Sequence, residues 1–124
     1  MFDITADLVE ELTTTTGTSN LTLAGASGVG LRTFNSAIIT ATGSASALNF
    51  RIPYSIGQDD QAEWEVGIGY LSGTTTFVRE TVFSSSNSGA LVSFSAGSKR
   101  VRITVISTWM NEHVGQMLAL GSSM

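Results

Sequence analysis

Apolar and polar positions alternate along the stretch from Trp64 to Val101, in four runs that turn residues separate. Between Trp64 and Tyr70 every second side chain is apolar, which is the period of a β-strand. Gly67 and Gly69 lie between these apolar positions, and two glycines in one strand indicate close approach by another backbone. The pattern predicts a β-meander with short connections, in which the face carrying Trp64 and Tyr70 is buried.

The first half of the chain carries shorter runs of the same kind. A hairpin from Val9–Thr16 to Asn20–Ala24 is the simplest interpretation, although apolar residues four apart near the N-terminus also suit a helix. Residues 35–46 predict a loop, with one helical turn that places two isoleucines in the core. The run Ala47–Tyr54 predicts a strand, and Pro53 puts that strand at an edge or ends its pairing there.

The pattern changes after residue 108. Apolar residues recur at helical spacing and predict a helix from Trp109 to about Leu120. We therefore expect a β-domain over residues 1–108 and a helical docking tail over residues 109–124. Such a short helix needs a partner surface, on its own domain or on another chain. The candidate interface residues of the tail are Trp109, Met110, Val114, Met117 and Leu118.

Composition limits the classes of function. The chain has 124 residues, no cysteine and a formal net charge of −4, with only six Lys and Arg residues. Few cations argue against a nucleic-acid surface, and no apolar run reaches the roughly 20 residues of a membrane helix. The acidic N-terminus argues against a secretory signal. We expect one compact all-β domain, a β-sandwich or jelly-roll-like barrel of about seven or eight short antiparallel strands.

Residues that could carry chemistry do not form a recognised motif. The carboxylates of Asp59, Asp60, Glu63 and Glu65 lack the spacing of a calcium loop and favour a solvated loop. The single histidine, His113, has no nucleophile elbow to serve. The glycine-rich loop at residues 24–30 lacks the Lys-Ser/Thr pair of a phosphate loop. We expect no catalytic residue, no metal and no cofactor.

Glu65 and Arg79 are predicted to form an ion pair between neighbouring strands, on the side opposite the apolar face. Two alternatives stay open for this pair. It is either an exposed pair that contributes little, or it lies under a neighbouring subunit and sets the register there. In the second case Glu65 and Arg79 join the candidate partner interface.

The combination of WEVGIG, Arg79 in the next strand, SSNSGALVSFSAG and the opening ADLVEELTTTTGTSNLTLAGA resembles a small β-domain of tailed-bacteriophage virion proteins. The resemblance covers roughly residues 5 to 106. It implies a structural module without enzymatic activity, of the kind found in tail fibres and on heads. It also implies a homo-oligomer, for which a trimer suits either location.

The resemblance leads to a functional hypothesis. We expect a capsid decoration or cement-like protein that is assembled in the bacterial cytoplasm and binds other virion proteins, such as the major capsid protein. The alternative is a tail-fibre, neck or baseplate component with receptor or glycan binding. For that role Trp64, Tyr54 or Tyr70 would have to be exposed, and the alternation instead predicts that they are buried.

Overall fold

A computed structural model of the chain describes residues 2–58, 62–104 and Ser107. Six antiparallel strands form one sheet in the order β1-β6-β3-β4-β5-β2, and the sheet nearly closes into a barrel. This confirms the predicted compact all-β fold. In chain order the elements are β1 (Glu10–Thr13), β2 (Leu21–Thr22), α1 (Phe34–Thr42), β3 (Ile52–Gly57), β4 (Trp64–Gly73), β5 (Thr76–Ser85) and β6 (Lys99–Ile103).

The seam of the barrel lies between β1 and the residues that follow β2. The backbone N–H of Leu12 donates to the Gly25 carbonyl at 3.1 Å, and the N–H of Ala24 donates to the Leu12 carbonyl at 2.7 Å. These bonds join the two ends of the sheet without extending either strand. The predicted N-terminal hairpin is present only in part, because β1 and β2 form no ladder with each other and bonds such as these join the two segments at the seam.

The predicted meander is correct for β4 and β5, which pair with each other, and β3 pairs with the opposite edge of β4. It is wrong for the last strand, because β6 returns across the barrel and pairs with β3 and β1. Residues 91–94 do not form a strand, and only Phe94 makes a single bridge, to Gly17. The described part of the chain therefore has six strands, fewer than the sequence predicts.

The inward face of β4 is the one that carries the glycines, which reverses the prediction, although Ile68 on the other face is also buried outside the main core cluster. Trp64 is 43% exposed, whereas Glu65 and Leu71 are completely buried. A Cβ on Gly67 would lie 2.0 Å from the Thr81 carbonyl oxygen of β5. The close backbone approach that the glycines predict is therefore present, and it occurs inside the barrel.

Helix α1 replaces the predicted loop with one helical turn. Thr33 caps it, because its hydroxyl accepts from the Ser36 N–H at 3.2 Å, and Gly43 ends it in the left-handed region with φ 69°. Phe34 and Ile38 are completely buried, so the helix plugs one end of the barrel core. The sequence anticipated the burial of Ile38 but not the length of the helix.

Pro53 lies in an interior strand, so the edge position is wrong. β3 pairs with β4 along its whole length, including Pro53 with Ile68. The ladder to β6 covers only Tyr54 to Gly57. Pairing on that side thus ends next to the proline, which lacks the N–H that would continue it.

Aromatic rings fill the middle of the barrel. The Phe77 ring lies 5.3 Å from the Phe34 ring and 5.1 Å from the Tyr54 ring, measured between centroids. Tilted and edge-to-face contacts of this kind are favourable beyond their buried area. The core around the rings is aliphatic and includes Leu21, Ile38, Ile52, Leu71 and Val101.

Candidate functional site

A buried polar network crosses the barrel next to this core. The hydroxyl of Tyr54 donates to Glu65 Oε2 at 2.6 Å, and Arg79 Nη1 donates to Glu65 Oε1 at 3.0 Å. The backbone N–H of Val92 donates to the same Oε1 at 2.8 Å. Burial first, and then the negative charge of Glu65, raise the pKa of Tyr54, so the phenol remains a hydrogen-bond donor.

Arg79 extends the network to the loops at one end of the barrel. Its guanidinium donates to the carbonyls of Val92 at 2.9 Å, Ser19 at 3.0 Å and Gly17 at 3.2 Å. It also lies 5.4 Å from the centre of the Phe94 ring. One side chain therefore fixes two loops that are far apart in the sequence.

This network excludes Glu65 and Arg79 from the candidate partner interface. The predicted ion pair exists, but its side chains are 0% and 2% exposed inside their own chain. Neither alternative considered for the pair, full exposure or cover by a subunit, is correct. The reason is that the glycine-bearing face of β4 points inward. Glu65 lies on that face, so its carboxylate is buried inside the barrel.

A groove opens on the outer face at the junction of three strands. Gly57 of β3 is the direct partner of Trp64 on one side and of Arg100 on the other. Adjacent strands lie about 4.8 Å apart. The side chains of Trp64 and Arg100 therefore stand on either side of Gly57, which has no side chain, and a gap is left between them. The groove has a volume of about 270 Å³, and Gln58, Ala62, Glu63 and Arg102 complete its lining.

The backbone of Trp64 is fixed at the side of this groove. Its backbone N–H donates to the Ser86 hydroxyl at 3.0 Å, and its carbonyl accepts from the Ser86 N–H at 2.9 Å. These two bonds continue the pairing of β4 with β5 by one residue beyond Glu65 and Ser85, and they fix the Trp64 backbone. Tyr54, in contrast, is buried in the core, and the Arg51 guanidinium lies 4.1 Å above the Tyr70 ring. Of these three aromatic residues, Trp64 is the one on open surface.

Opposite charges balance beside the groove. Glu10 accepts from the Ser27 hydroxyl at 2.6 Å, from Arg100 Nη1 at 3.1 Å and from Arg102 Nε. The hydrogen bond from Ser27, followed by those from Arg102 and Arg100, lowers the pKa of Glu10 to about 2 against the opposing effect of burial. Glu10 is therefore ionised at neutral pH and offsets part of the arginine charge.

Glu63 and Gln58 form the other wall. Glu63 accepts from the Ser95 N–H and hydroxyl, both at 2.9 Å, and these bonds lower the pKa of its carboxyl group. Gln58 is 8% exposed and its Nε2 donates to the Ala96 carbonyl at 2.8 Å. Within the described residues its Oε1 is a buried acceptor with no hydrogen-bond donor. An acceptor of this kind is rare in folded proteins.

A second cavity, of about 400 Å³, lies at the seam and contains the Glu11 carboxylate. This carboxylate accepts from the Phe34 N–H at 2.8 Å and from the Gly25 N–H at 3.1 Å. Burial raises the pKa of Glu11, partly opposed by these two bonds. Both carboxylate oxygens of Glu11 thus accept from backbone N–H groups, one at the first turn of α1 and one at the seam.

The remaining chemical candidates do not assemble into a site in the part of the chain that the structure describes. Lys99 is buried and donates to the carbonyls of Ser95 and Gly97 at 2.7 and 2.8 Å, and burial lowers its pKa. Across residues 2–58 and 62–104, no three His, Cys, Asp or Glu side chains lie close enough to hold a metal ion. No helix within these ranges is long and apolar enough to cross a membrane.

Several predicted residues lie outside the described ranges. These are Asp59 and Asp60 of the acidic cluster, His113, and the five candidate interface residues of the tail, Trp109, Met110, Val114, Met117 and Leu118. The groove itself was not predicted, because residues 57, 64 and 100 meet only after three strands pair. The one signal available in the sequence was a tryptophan that directly follows a polar loop. No protein-family model matches this chain, and neither a curated protein nor a solved structure does.

Proposed function

We propose that this protein is a structural component of a bacteriophage particle, a capsid decoration or cement-like protein that binds neighbouring virion subunits. The observation that carries the proposal is that the buried charged side chains form hydrogen bonds within their own barrel. Glu11, Glu65, Arg79 and Lys99 all bond to loops, strand ends or the seam of their own barrel. These buried charges serve the fold of the module, and its outer surface is what it offers to partners.

The outer surface supports a binding role. Large apolar side chains stand exposed in two settings, with Trp64 and Phe83 on strands and Leu8 and Val29 in loops. Leu8 is 65% exposed and its backbone has φ 60°, a conformation that few non-glycine residues adopt. Aromatic side chains are enriched in the buried centres of protein interfaces. Contacts with other virion proteins would cover these residues.

The resemblance to phage virion domains supports the same proposal. It adds a homo-oligomeric state, for which a trimer suits either location in the virion, and assembly in the host cytoplasm before incorporation into the virion. Residues 109–124 are the proposed docking tail. The partners are other virion proteins, and neither nucleic acid nor membrane is needed for this role.

Locating the protein on purified particles tests the proposal. Gold-labelled antibody in electron microscopy should mark the whole head surface. Label confined to the tail would instead support a tail-fibre, neck or baseplate component. Absence of the protein from intact particles would overturn both versions.

Sizing of the purified protein with and without residues 109–124 tests the docking tail. The full chain should form an oligomer, and the chain 1–108 should lose it while keeping its β-sheet circular dichroism. An unchanged oligomer would move the interface to the barrel surface. A monomeric full chain would contradict the oligomeric part of the proposal.

The tail-component alternative, with receptor or glycan binding, gains one specific observation. Trp64, which the sequence predicts to be buried, lies on open surface beside a groove. Exposed aromatic rings are suitable platforms for ligands with apolar faces.

A further inference from the structure

We infer that the groove between Trp64 and Arg102 binds a single neutral sugar ring. The inference concerns the isolated barrel and does not depend on where the protein lies in a particle. Its failure would leave the particle-location experiment unaffected, and the reverse is also true.

The Trp64 indole provides the apolar platform. It is 43% exposed, it lines the groove, and two backbone bonds to Ser86 fix its strand. One face of a pyranose ring consists mainly of C–H groups, which pack favourably on the electron-rich face of an aromatic ring. Gly57, the partner of Trp64 across the strand pair, leaves the space in front of the indole open.

Gln58 forms part of the groove wall and carries an unsatisfied acceptor behind it. Its Oε1 is a buried acceptor that no described donor satisfies, and the residue lines the groove. The Ala96 carbonyl holds the other end of the amide at 2.8 Å, which keeps Nε2 as the bonded donor and Oε1 as the unsatisfied atom. Oε1 itself has almost no accessible surface, so a sugar hydroxyl reaches it only if the amide side chain turns toward the groove on binding.

Arg102 provides donors on the opposite side. It bonds to Glu10 through Nε, and its terminal nitrogens make no hydrogen bond within the described part of the chain. Its side chain is 51% exposed, so these nitrogens can reach a ligand in the groove. Sugar hydroxyls accept as well as donate. A ring stacked on Trp64 can therefore bond Arg102 at the same time.

Size and charge define the class of sugar. The volume of about 270 Å³ is just below the range of roughly 300–1,000 Å³ for drug-sized ligands, which fits one ring better than a long chain. Arg100 and Arg102 are offset by the carboxylates of Glu10 and Glu63. Among the described residues at and beside the groove, the two positive and two negative charges balance, which favours a neutral sugar over a sugar acid.

Titrations of the full chain with single sugars test the inference. Glucose, galactose, mannose and N-acetylglucosamine are the neutral probes, and glucuronic acid is the charged one. The chain has two tryptophans, so Trp109→Phe leaves Trp64 as the only source of tryptophan fluorescence. At least one neutral sugar should give a saturable change in fluorescence with a Kd on the order of 1 mM, nearly independent of salt.

Variants separate the groove from the rest of the surface. In NMR titrations that do not need the fluorophore, Trp64→Ala should weaken binding about tenfold or more, and Trp64→Phe should weaken it less because an aromatic face remains. Gly57→Val should also weaken binding, since its side chain would fill the floor. Phe83→Ala removes an exposed aromatic residue that does not line the groove, and it should bind as the wild type does.

The chemical-shift map of the wild-type protein keeps the test decisive if Trp64→Ala fails to fold. Sugar should shift the amide signals of Gly57, Gln58 and Arg102. No saturable binding of any neutral probe would overturn the inference. Binding that prefers glucuronic acid and weakens with salt, or shifts that cluster away from the groove, would overturn it too.

Discussion

At the scale of single residues, Arg79 is the side chain that holds the buried polar network together. Its guanidinium bonds a buried carboxylate and three carbonyls from two loops. Within the described residues its Nε has no acceptor. Arg79 is therefore buried with one N–H donor that lacks an acceptor among the described residues. It stabilises the fold through the carboxylate and carbonyls that it keeps hydrogen-bonded, and not through the ion pair alone.

Replacement of Arg79 by methionine should strongly destabilise the fold. It leaves the Glu65 charge buried without its cation, and removal of one partner of a buried pair costs about 3–5 kcal/mol. Urea unfolding measures the change in free energy. The control is Glu80→Gln, which breaks the Arg51–Glu80 pair, whose side chains are 35% and 36% exposed. That variant should lose under about 1 kcal/mol, and equal losses would contradict the structural role of Arg79.

Glu10 should make stability depend on acid. Its pKa is about 2 in the folded chain against an ordinary value of 4.5. A lowered pKa stabilises the fold above about pH 4.5, and this stabilisation is lost as the pH falls toward 2.

The measurement compares the wild type with Glu10→Gln across this range. The wild type should be more stable at pH 7 by about 1 kcal/mol, since the arginine partners are half exposed and screened. The two proteins should converge near pH 2. A difference that is constant from pH 7 to pH 2 would refute the assignment, and NMR titration of the Glu10 carboxyl group gives its pKa directly.

At the scale of elements, β4 and β5 owe their close contact to glycine. A Cβ on Gly69 would lie 2.5 Å from two atoms of the Phe77 ring, and one on Gly67 would lie 2.0 Å from a carbonyl oxygen of β5. The pairing of these strands shifts register in the same region, between Val66 and Gly67 and between Ile68 and Gly69. Such irregularities increase local twist, which helps a six-stranded sheet to curve.

Gly67→Ala should therefore destabilise the barrel by about 1–3 kcal/mol or more, because backbone must move to admit the methyl group. Thermal and urea unfolding give the size of the loss. Gly57→Ala is the matched control in the neighbouring strand. A Cβ there meets no atom within 4 Å, so stability should change by no more than about 0.5 kcal/mol. Similar losses in both variants would show that the close approach is unimportant.

At the scale of the whole molecule, the seam decides whether the sheet behaves as a barrel. Glu11 lies in β1 and accepts from Gly25 across the seam and from Phe34 at the start of α1. One carboxylate thereby joins both ends of the sheet to the helix that plugs the core. No other described side chain bonds both of these groups.

Glu11→Ala should open this seam. Two buried N–H groups lose their acceptor, and each unsatisfied group costs about 1–3 kcal/mol. Hydrogen exchange should accelerate at Gly25 and Phe34 more than at the β3–β4 pairs. The control, Glu10→Ala, changes the preceding residue, which bonds side chains rather than these amides. Unchanged exchange at Gly25 and Phe34 would exclude the seam role.

Particular residues show how far sequence reasoning reached. Alternation correctly buried Ile52, Tyr54 and Val101, and the paired glycines correctly indicated close packing. The alternation wrongly placed Trp64 inside the barrel, because hydrophobicity alone does not distinguish a core position from an exposed one. It also missed α1, a helix rich in Ser and Thr whose stability comes from burying Phe34 and Ile38.

The sequence by itself determined the strand class, the turns and the pairing of Glu65 with Arg79, because these follow from local periodicity and from opposite charges on neighbouring strands. Only the tertiary structure decided which side of β4 faces inward. A period of two is unchanged when its two faces are exchanged, so it cannot choose between them. Closure of the sheet made the choice, because the Phe77 ring and the β5 backbone fit only over the face without side chains at positions 67 and 69.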